Sequence, residues 1–168
     1  MTTSQILEPA ITDQSQPLRL ALSRIFRAPR EKVFDAWIRP ERIRQWLCPG
    51  RMTVTEIATE ATDGGAYSIT MQGMGDCTGE QEGNSVQQRV CIRGTYEKIV
   101  PYSLLRFTWC NNARPEETTT ITLHFSDVAD GTLLELVQET FLTAESSMRH
   151  NSGWTSCFSK LEAMLGSE

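Results

Sequence analysis

The spacing of apolar residues changes near the end of this chain, and that change limits the folds available to it. From Met52 to Phe141 apolar and polar residues mostly alternate, which is typical of half-buried strands. From Ala144 to Leu165 apolar residues recur every three or four positions, which predicts one amphipathic helix of roughly 20 residues. A sheet with one apolar face, followed by one long helix, is expected to bury that face against the helix.

The residues before this region add one strand and two short helices. Residues 18–26 alternate and predict a strand that Pro29 ends. Apolar spacing over residues 30–38 predicts a short helix, and Pro40 breaks it and starts a second one. This order predicts an α+β fold, in which a curved antiparallel sheet of about six to seven strands surrounds the C-terminal helix.

Two segments are expected to lie apart from this core. Residues 1–17 are polar, so we expect a flexible leader before a single ligand-binding domain over residues 18–168. Residues 73–86 are rich in glycine and acidic side chains and predict a long polar loop. Such a loop could gate a pocket, but the interpretation we favour is a flexible insertion.

Composition argues against several classes of function. The net charge is -5, and no basic stripe is interleaved with aromatic residues, so we expect no binding to nucleic acid. No run of about 18 apolar residues occurs, so no membrane insertion is expected. No two cysteines form a C-x-x-C pair, which indicates free thiols in a reducing cytoplasm. The scattered cysteines are Cys48, Cys77, Cys91, Cys110 and Cys157.

Motifs for catalysis or metal binding are weak. The histidines, His124 and His150, lack neighbours at metal-ligand spacing, so neither a metal nor another cofactor is expected. No serine lies in a G-x-S-x-G turn, and the cysteines are interpreted as core residues. The candidates for acid–base chemistry are expected to face solvent or an ordinary partner, and they are Glu56, Tyr67, Glu97 and Glu135. No catalytic residue is therefore assigned.

A pocket is expected because one helix cannot fill the concave face of a strongly curved sheet. Four tryptophans and six phenylalanines could fill much of that space, so the sequence does not set its volume. The C-terminal helix would form one wall through Trp154, Cys157, Phe158 and Leu161. The sheet would form the other through Tyr67, Ile69, Met71, Phe107, Trp109, Leu123 and Gln138, with Trp46 near the mouth. Polar contacts are expected from Tyr67, Gln138 and Ser156.

Motifs spread along the chain resemble one known superfamily. They are Arg27-Ala-Pro-Arg-Glu-Lys-Val-Phe-Asp-Ala-Trp, Pro40-Glu-Arg-Ile-Arg-Gln-Trp, Asp63-Gly-Gly-Ala-Tyr, Gly94-Thr-Tyr-Glu-Lys-Ile-Val-Pro, Leu104-Leu-Arg-Phe-Thr-Trp, Gly131-Thr-Leu-Leu-Glu-Leu and Gly153-Trp-Thr-Ser-Cys-Phe-Ser-Lys-Leu. In order and spacing, over residues 18–166, they resemble the SRPBCC superfamily. Within it, the chain is most similar to the activator of heat-shock protein 90 ATPase homologue (AHSA1-like) group.

The resemblance implies a helix-grip fold, also called START-like or Bet v 1-like, in which the sheet grips the C-terminal helix. The function we expect is noncatalytic binding of a small, largely apolar molecule. Two alternatives stay open: a chaperone-regulating interaction module of the stress response, and a cyclase- or hydrolase-type enzyme that uses the same cavity. The resemblance also suggests a chaperone partner and a homodimer. The acidic loop at residues 73–86 departs from the short turn expected there.

Overall fold

A computed structural model describes residues 18–74 and 87–168 of the chain. The strands are β1 (Leu18–Phe26), β2 (Thr53–Thr59), β3 (Ala66–Met74), β4 (Gln87–Val100), β5 (Leu104–Asn111), β6 (Thr118–Val128) and β7 (Gly131–Phe141). The helices are α1 (Arg30–Ile38), α2 (Pro40–Ile43) and α3 (Ala144–Gly166). The expected leader, most of the expected acidic loop (residues 75–86) and Cys77 lie outside the described residues.

All the strands belong to one antiparallel sheet with the order β1-β7-β6-β5-β4-β3-β2. From β2 to β7 each strand pairs with the next one in sequence, whereas β1 pairs with β7, with Leu22 opposite Leu136. The chain therefore passes from one edge of the sheet to the other through α1 and α2. The predicted helix-grip fold, with two short helices after the first strand, is confirmed.

The alternation along the strands matches their burial, as expected of half-buried strands. The inward residues of three neighbouring strands inside the sheet are all buried: Leu105, Phe107 and Trp109 on β5, Ile121, Leu123 and Phe125 on β6, and Leu134, Leu136 and Gln138 on β7. Their neighbours Arg106, His124 and Glu135 are exposed. The long helix α3 lies on this inward face and buries its predicted apolar stripe, which includes Trp154 and Leu161. None of the described helices is long and apolar enough to cross a membrane.

Gly94 of β4 allows an unusually close approach between neighbouring strands. A Cβ atom there would lie 2.0 Å from the carbonyl oxygen of Thr108 on β5 and 2.7 Å from the ring of Tyr67 on β3. The Tyr67 side chain lies beside Gly94, and its hydroxyl donates a hydrogen bond to the same Thr108 oxygen at 2.5 Å. The β4–β5 register shifts two residues further along, between Tyr96 and Lys98.

Aromatic side chains from α1 and the turn after α2 fill one half of the concave face. Trp46 is fully buried, and its indole Nε1 donates to the carbonyl oxygen of Ala36 at 2.9 Å. Its ring lies 4.6 Å from that of Trp37, which also packs against Phe158 with 6.2 Å between ring centroids. A space of about 20 Å³ lies beside Trp37, roughly the room that one water needs. We call the region around Trp37, Trp46 and Phe158 the filled half.

Candidate functional site

The other half of the concave face holds a cavity of about 410 Å³. It lies between the first half of α3 and the inward faces of β3 to β6, and the loops before β2 and β6 complete its walls. Its lining residues are Leu47, Cys48, Pro49, Met52, Met71, Gln88, Val90, Ile92, Trp109, Asn111, Ala113, Arg114, Glu117, Thr119, Arg149, His150, Gly153, Trp154 and Cys157. We call this region the open half. Its volume is in the range of small-molecule sites.

Gly153 is one reason why this half stays open. It lies on the face of α3 that lines the cavity, and a Cβ atom added to it would meet no atom within 4 Å. A glycine in a helix interior costs about 0.5–1 kcal/mol relative to alanine, so it is an unfavourable choice for the helix alone. Its absent side chain leaves room directly beside Trp154.

A buried hydrogen-bond network fixes the tryptophans at the boundary between the two halves. Gln138 of β7 is fully buried, and its Oε1 accepts a hydrogen bond from Trp154 Nε1 at 2.8 Å. Its Nε2 donates to Thr119 Oγ1 at 2.8 Å, and that hydroxyl donates to the carbonyl oxygen of Trp109 at 3.3 Å. The rings of Trp109 and Trp154 lie 5.2 Å apart. Gln138 therefore orients an aromatic wall of the cavity without lining it.

A second set of contacts holds the loop between α2 and β2 against α3. Lys160 Nζ donates to the carbonyl oxygens of Cys48 and Gly50, both at 2.7 Å. The backbone N–H of Gly50 donates to Ser156 Oγ at 3.2 Å. Ser156, expected to be a polar contact in the pocket, instead anchors this loop. The anchored loop places Leu47 and its neighbours as one wall of the cavity.

Glu117 ties the start of β6 to the beginning of α3 at the rim of the cavity. Its carboxylate accepts hydrogen bonds from Leu142 N at 2.9 Å and from Ser146 Oγ. Burial alone would raise the pKa of Glu117, but these two hydrogen bonds and the nearby positive charges lower it below its usual value. Glu117 is therefore ionised at neutral pH, and both of its oxygens are engaged.

His150 lies near Glu117, and its ring nitrogen Nε2 has no hydrogen-bond partner among the described residues. Its Nδ1 lies 2.8 Å from the carbonyl oxygen of Ser146, which can only accept, so Nδ1 carries the proton and Nε2 keeps its lone pair. Burial lowers the pKa of His150, and the positive charges of Arg149 and Arg114 lower it further. The hydrogen bond to the Ser146 carbonyl and the negative charge of Glu117 raise this pKa. The net direction is downward, so the ring is neutral at pH 7.

Ser146, Glu117 and His150 do not form a pair of a nucleophile and a general base. The hydroxyl of Ser146 donates to Glu117, so it is not aimed at His150. Burial raises the pKa of the Cys157 thiol to about 12, which keeps it protonated and weakly nucleophilic. Among residues 18–74 and 87–168, no three His, Cys, Asp or Glu side chains are grouped to hold a metal ion.

The four acid–base candidates from the sequence do not meet in the cavity. Glu56 pairs with Arg89 at 3.7 Å, and Glu97 pairs with Arg106 at 2.7 Å. Glu135 is exposed. Tyr67 points toward β5, and burial raises its pKa well above the usual value. A proton-transfer role for these groups therefore has no geometric basis in the open half.

Comparison with known proteins identifies the family. Residues 27–166 match the family model described as Activator of Hsp90 ATPase homolog 1-like protein. The chain belongs to this family. This confirms the resemblance to the AHSA1-like group of the SRPBCC superfamily, whose fold commonly binds hydrophobic ligands. A search of the curated proteins found no match.

Solved structures share the fold of this AHSA1-like chain. A protein of Chromobacterium violaceum is 24% identical, with a TM-score of 0.73 over 89% of this chain and 98% of its own. The AHSA1 protein of Silicibacter pomeroyi is 25% identical, with a TM-score of 0.72 over 89% of this chain and 98% of its own. CalU16 of Micromonospora echinospora is 21% identical, with a TM-score of 0.65 over 89% of this chain and 76% of its own.

The residues predicted to form the pocket are divided between the two halves of this AHSA1-like fold. The structure brings four of them together around the cavity: Met71, Trp109, Trp154 and Cys157. The others are buried and do not line this cavity: Trp46, Tyr67, Ile69, Phe107, Leu123, Gln138, Phe158 and Leu161. The position expected for Trp46 near the mouth is wrong, because its ring is enclosed by Trp37 and its indole N–H bonds to α1.

Three charged lining residues and one histidine were not predicted from the sequence: Arg114, Glu117, Arg149 and His150. A signal for His150 was present, since it lies three, four and seven residues before Gly153, Trp154 and Cys157, at the spacing of one helix face. Arg114 and Glu117 lie in the segment between β5 and β6, and no periodicity indicates which way such a segment turns.

Proposed function

We propose that this protein binds a small, largely apolar molecule in the open half, without catalysing a reaction on it. The observation that carries the proposal is the cavity of about 410 Å³, set beside a filled half of the same sheet face. Of the residues expected to contact the ligand, Met71, Trp109, Trp154 and Cys157 are the ones we propose as contacts.

The chemistry of the lining supports an apolar ligand. Met71, Val90, Ile92 and the two tryptophans give the cavity a continuous apolar wall. Each 100 Å² of apolar surface that a ligand buries there would contribute about 2.5 kcal/mol before ordering costs. Family membership supports the same proposal, since the fold commonly binds hydrophobic ligands.

The arrangement of titratable groups favours binding over catalysis. Within the described residues, His150 is the one neutral imidazole that lines the cavity, and no hydroxyl or thiolate is placed beside it as a nucleophile. Covalent catalysis needs a nucleophile within hydrogen-bond reach of its base. We therefore propose carriage or sensing of the ligand as the role of the cavity.

The test measures ligand binding before and after the cavity is filled by a substitution at Gly153. Purified protein is first unfolded thermally in the presence of fatty acids, sterols, flavonoids, polyketides and medium-chain alcohols. A ligand at about 100 times its Kd should stabilise the protein by about 2.7 kcal/mol, which is several degrees in Tm. Gly153→Leu should abolish this shift, because the new side chain enters the space where no atom lies within 4 Å.

Gly166→Leu is the matched control, because Gly166 lies in the same helix, has equally open space around it and does not line the cavity. It should keep the full ligand shift. An equal shift in both variants would show that the ligand binds elsewhere. No shift with any compound would instead favour the chaperone-regulating alternative.

A further inference from the structure

We infer that the ligand of the open half is an amphipathic anion, with a carboxylate held by Arg114 and Arg149 and an apolar body packed against the tryptophans. This inference rests on the proposed function and adds the chemical class of the ligand. It is carried by the distribution of charge around the cavity, which differs from that of the chain as a whole.

The cavity has a surplus of positive charge. Among residues 18–74 and 87–168, two arginines line it, Arg114 and Arg149, against one carboxylate, that of Glu117. With His150 neutral, the described residues of the lining therefore carry a net charge of +1, although the whole chain carries -5. A positively charged lining attracts a ligand of negative charge, and it does so against the repulsion from the net negative charge of the rest of the chain.

The carboxylate of Glu117 does not neutralise this surplus by direct pairing. Its two oxygens accept from Ser146 Oγ and Leu142 N. Among the described residues, neither Arg114 nor Arg149 forms an ion pair. A ligand carboxylate would therefore meet guanidiniums whose donors are not taken up by a described carboxylate, and such charge-assisted hydrogen bonds are the stronger kind.

The charged groups lie together at one part of the lining. Arg149 and His150 are consecutive residues in the second turn of α3, and Arg114 lies in the segment between β5 and β6 that also carries Glu117. Both guanidiniums act on the imidazole of His150. A head group bound near His150 would therefore interact with both arginines at once.

The apolar lining lies on other elements and suits the body of the same molecule. Met71 of β3, Val90 and Ile92 of β4 and the paired rings of Trp109 and Trp154 provide it. One end of the ligand is thus recognised by charge and the remainder by burial of apolar surface. This division of roles is common in small-molecule sites, where a few polar groups fix the orientation of the ligand.

The test compares decanoate, 1-decanol and decylamine, which share one chain length and differ in the charge of the head group. Binding is followed by calorimetry at pH 8, below the concentration at which each compound aggregates. Decanoate should bind roughly tenfold more tightly than decanol, and decylammonium more weakly than decanol. The preference for decanoate should shrink as salt is added, because partly exposed charges are screened.

The double variant Arg114→Gln/Arg149→Gln should bring the affinity for decanoate to within about twofold of the affinity of the same variant for decanol. Arg27→Gln is the matched control, because Arg27 is exposed and lies outside the cavity lining. It changes the net charge of the chain in the same direction and should keep the preference for decanoate.

The pH dependence supplies a second readout. A bound carboxylate near His150 should favour its protonated form, so decanoate should bind more tightly as the pH falls from 8 to 6. The charged groups that act on His150 are Glu117, Arg114 and Arg149. Decanol has no charge to interact with the imidazolium, so its affinity should not rise in the same way.

The outcomes separate this inference from the proposed function. If decanol binds and decanoate is no tighter, or if the double variant keeps the preference, the anionic head group is wrong and the apolar pocket stands. If none of the three compounds binds to the folded protein, both proposals are overturned.

Discussion

The filled and open halves are built on the same sheet face, yet one leaves about 20 Å³ beside its aromatic rings and the other about 410 Å³. Each half contains two of the four tryptophans: Trp37 and Trp46 in the filled half, Trp109 and Trp154 in the open half. Large inward-facing rings therefore do not by themselves close a cavity. The filled half is closed because α1 and the turn after α2 bring a second layer of rings onto the sheet.

The polar groups of the two halves differ as well. In the filled half, Trp46 Nε1 bonds to a backbone carbonyl, and Thr59 and Tyr96 share a hydrogen bond of 2.9 Å. In the open half, charged side chains such as Arg149 and Glu117 reach the lining. Polar groups that hydrogen-bond to one another can be buried in a core, whereas charged groups at an open cavity are available to bind a ligand.

The largest effect is expected from truncating a ring in the filled half. Phe158 is fully buried and packs edge-on against Phe26, with 5.7 Å between ring centroids. Phe158→Ala should lower the free energy of unfolding by about 3–5 kcal/mol, because it leaves a new void in a packed region. Chemical denaturation measures the change, and ligand affinity should stay nearly the same in the fraction that folds.

Met71→Ala is the counterpart in the open half. Met71 already borders empty space, so its loss should cost about 2 kcal/mol, near the lower end for such truncations, and should weaken binding of the apolar ligand. If the two variants lose equal stability and equal affinity, the distinction between the halves has no energetic meaning.

A smaller effect is expected at the boundary between the halves. Gln138→Leu would leave Trp154 Nε1 without its acceptor and Thr119 Oγ1 without its donor. We expect a loss of about 1–3 kcal/mol in stability, the cost of an unsatisfied buried polar group. The variant should also loosen the ring of Trp154, which fluorescence anisotropy of the tryptophans would detect.

The exposed Gln45→Leu serves as the control for this substitution and should change stability by about 0.5 kcal/mol or less. A Gln138→Leu variant as stable as the wild type would mean that the network is not needed to hold the wall of the cavity.

The smallest effect is expected at the rim and depends on pH. The folded state lowers the pKa of Glu117 below its usual value of 4.5, so its carboxylate stabilises the fold above that value. This contribution is lost as the pH falls from about 4.5 through the lowered pKa, because protonation then removes the charge that accepts the two hydrogen bonds. Glu117→Gln should cost about 1 kcal/mol or less at pH 7, and the difference should shrink toward pH 3.

Denaturation curves of the wild type and Glu117→Gln at pH 7, 5 and 3 measure this difference. Asp127→Asn is a suitable control, because Asp127 pairs with Arg30 at 3.5 Å on a different part of the surface. A difference for Glu117→Gln that stays constant, or grows as the pH falls, would contradict the role given to Glu117.

Sequence patterns predicted the fold well, because each element depends on local spacing. The helix expected over residues 144–165 is observed as Ala144–Gly166, and the predicted β1 has the observed bounds Leu18–Phe26. The alternation along β5, β6 and β7 also matches their inward faces. These properties follow from the helical and strand periods themselves, so they can be found without knowledge of tertiary contacts.

The location of the cavity could not be predicted in the same way. Alternation places Phe107 and Trp109 on the same face of β5, but only Trp109 lines the large cavity, because Phe107 is covered by Trp37. How far the aromatic layer of α1 reaches along each strand depends on packing between distant segments. The contribution of Arg114 likewise depends on the path of a connecting segment.

The separation of the two halves can be tested most directly through the indole N–H signals of the four tryptophans. A ¹⁵N-labelled sample is titrated with 1-decanol, and the indole resonances are assigned by single Trp→Phe variants. The indole signals of Trp109 and Trp154 should shift on binding, because both residues line the cavity. The signal of Trp46 should stay in place, and that of Trp37 should shift less than those of Trp109 and Trp154. Shifts as large at Trp46 as at Trp154, or saturable binding that moves neither Trp109 nor Trp154, would contradict the assignment of the ligand to the open half.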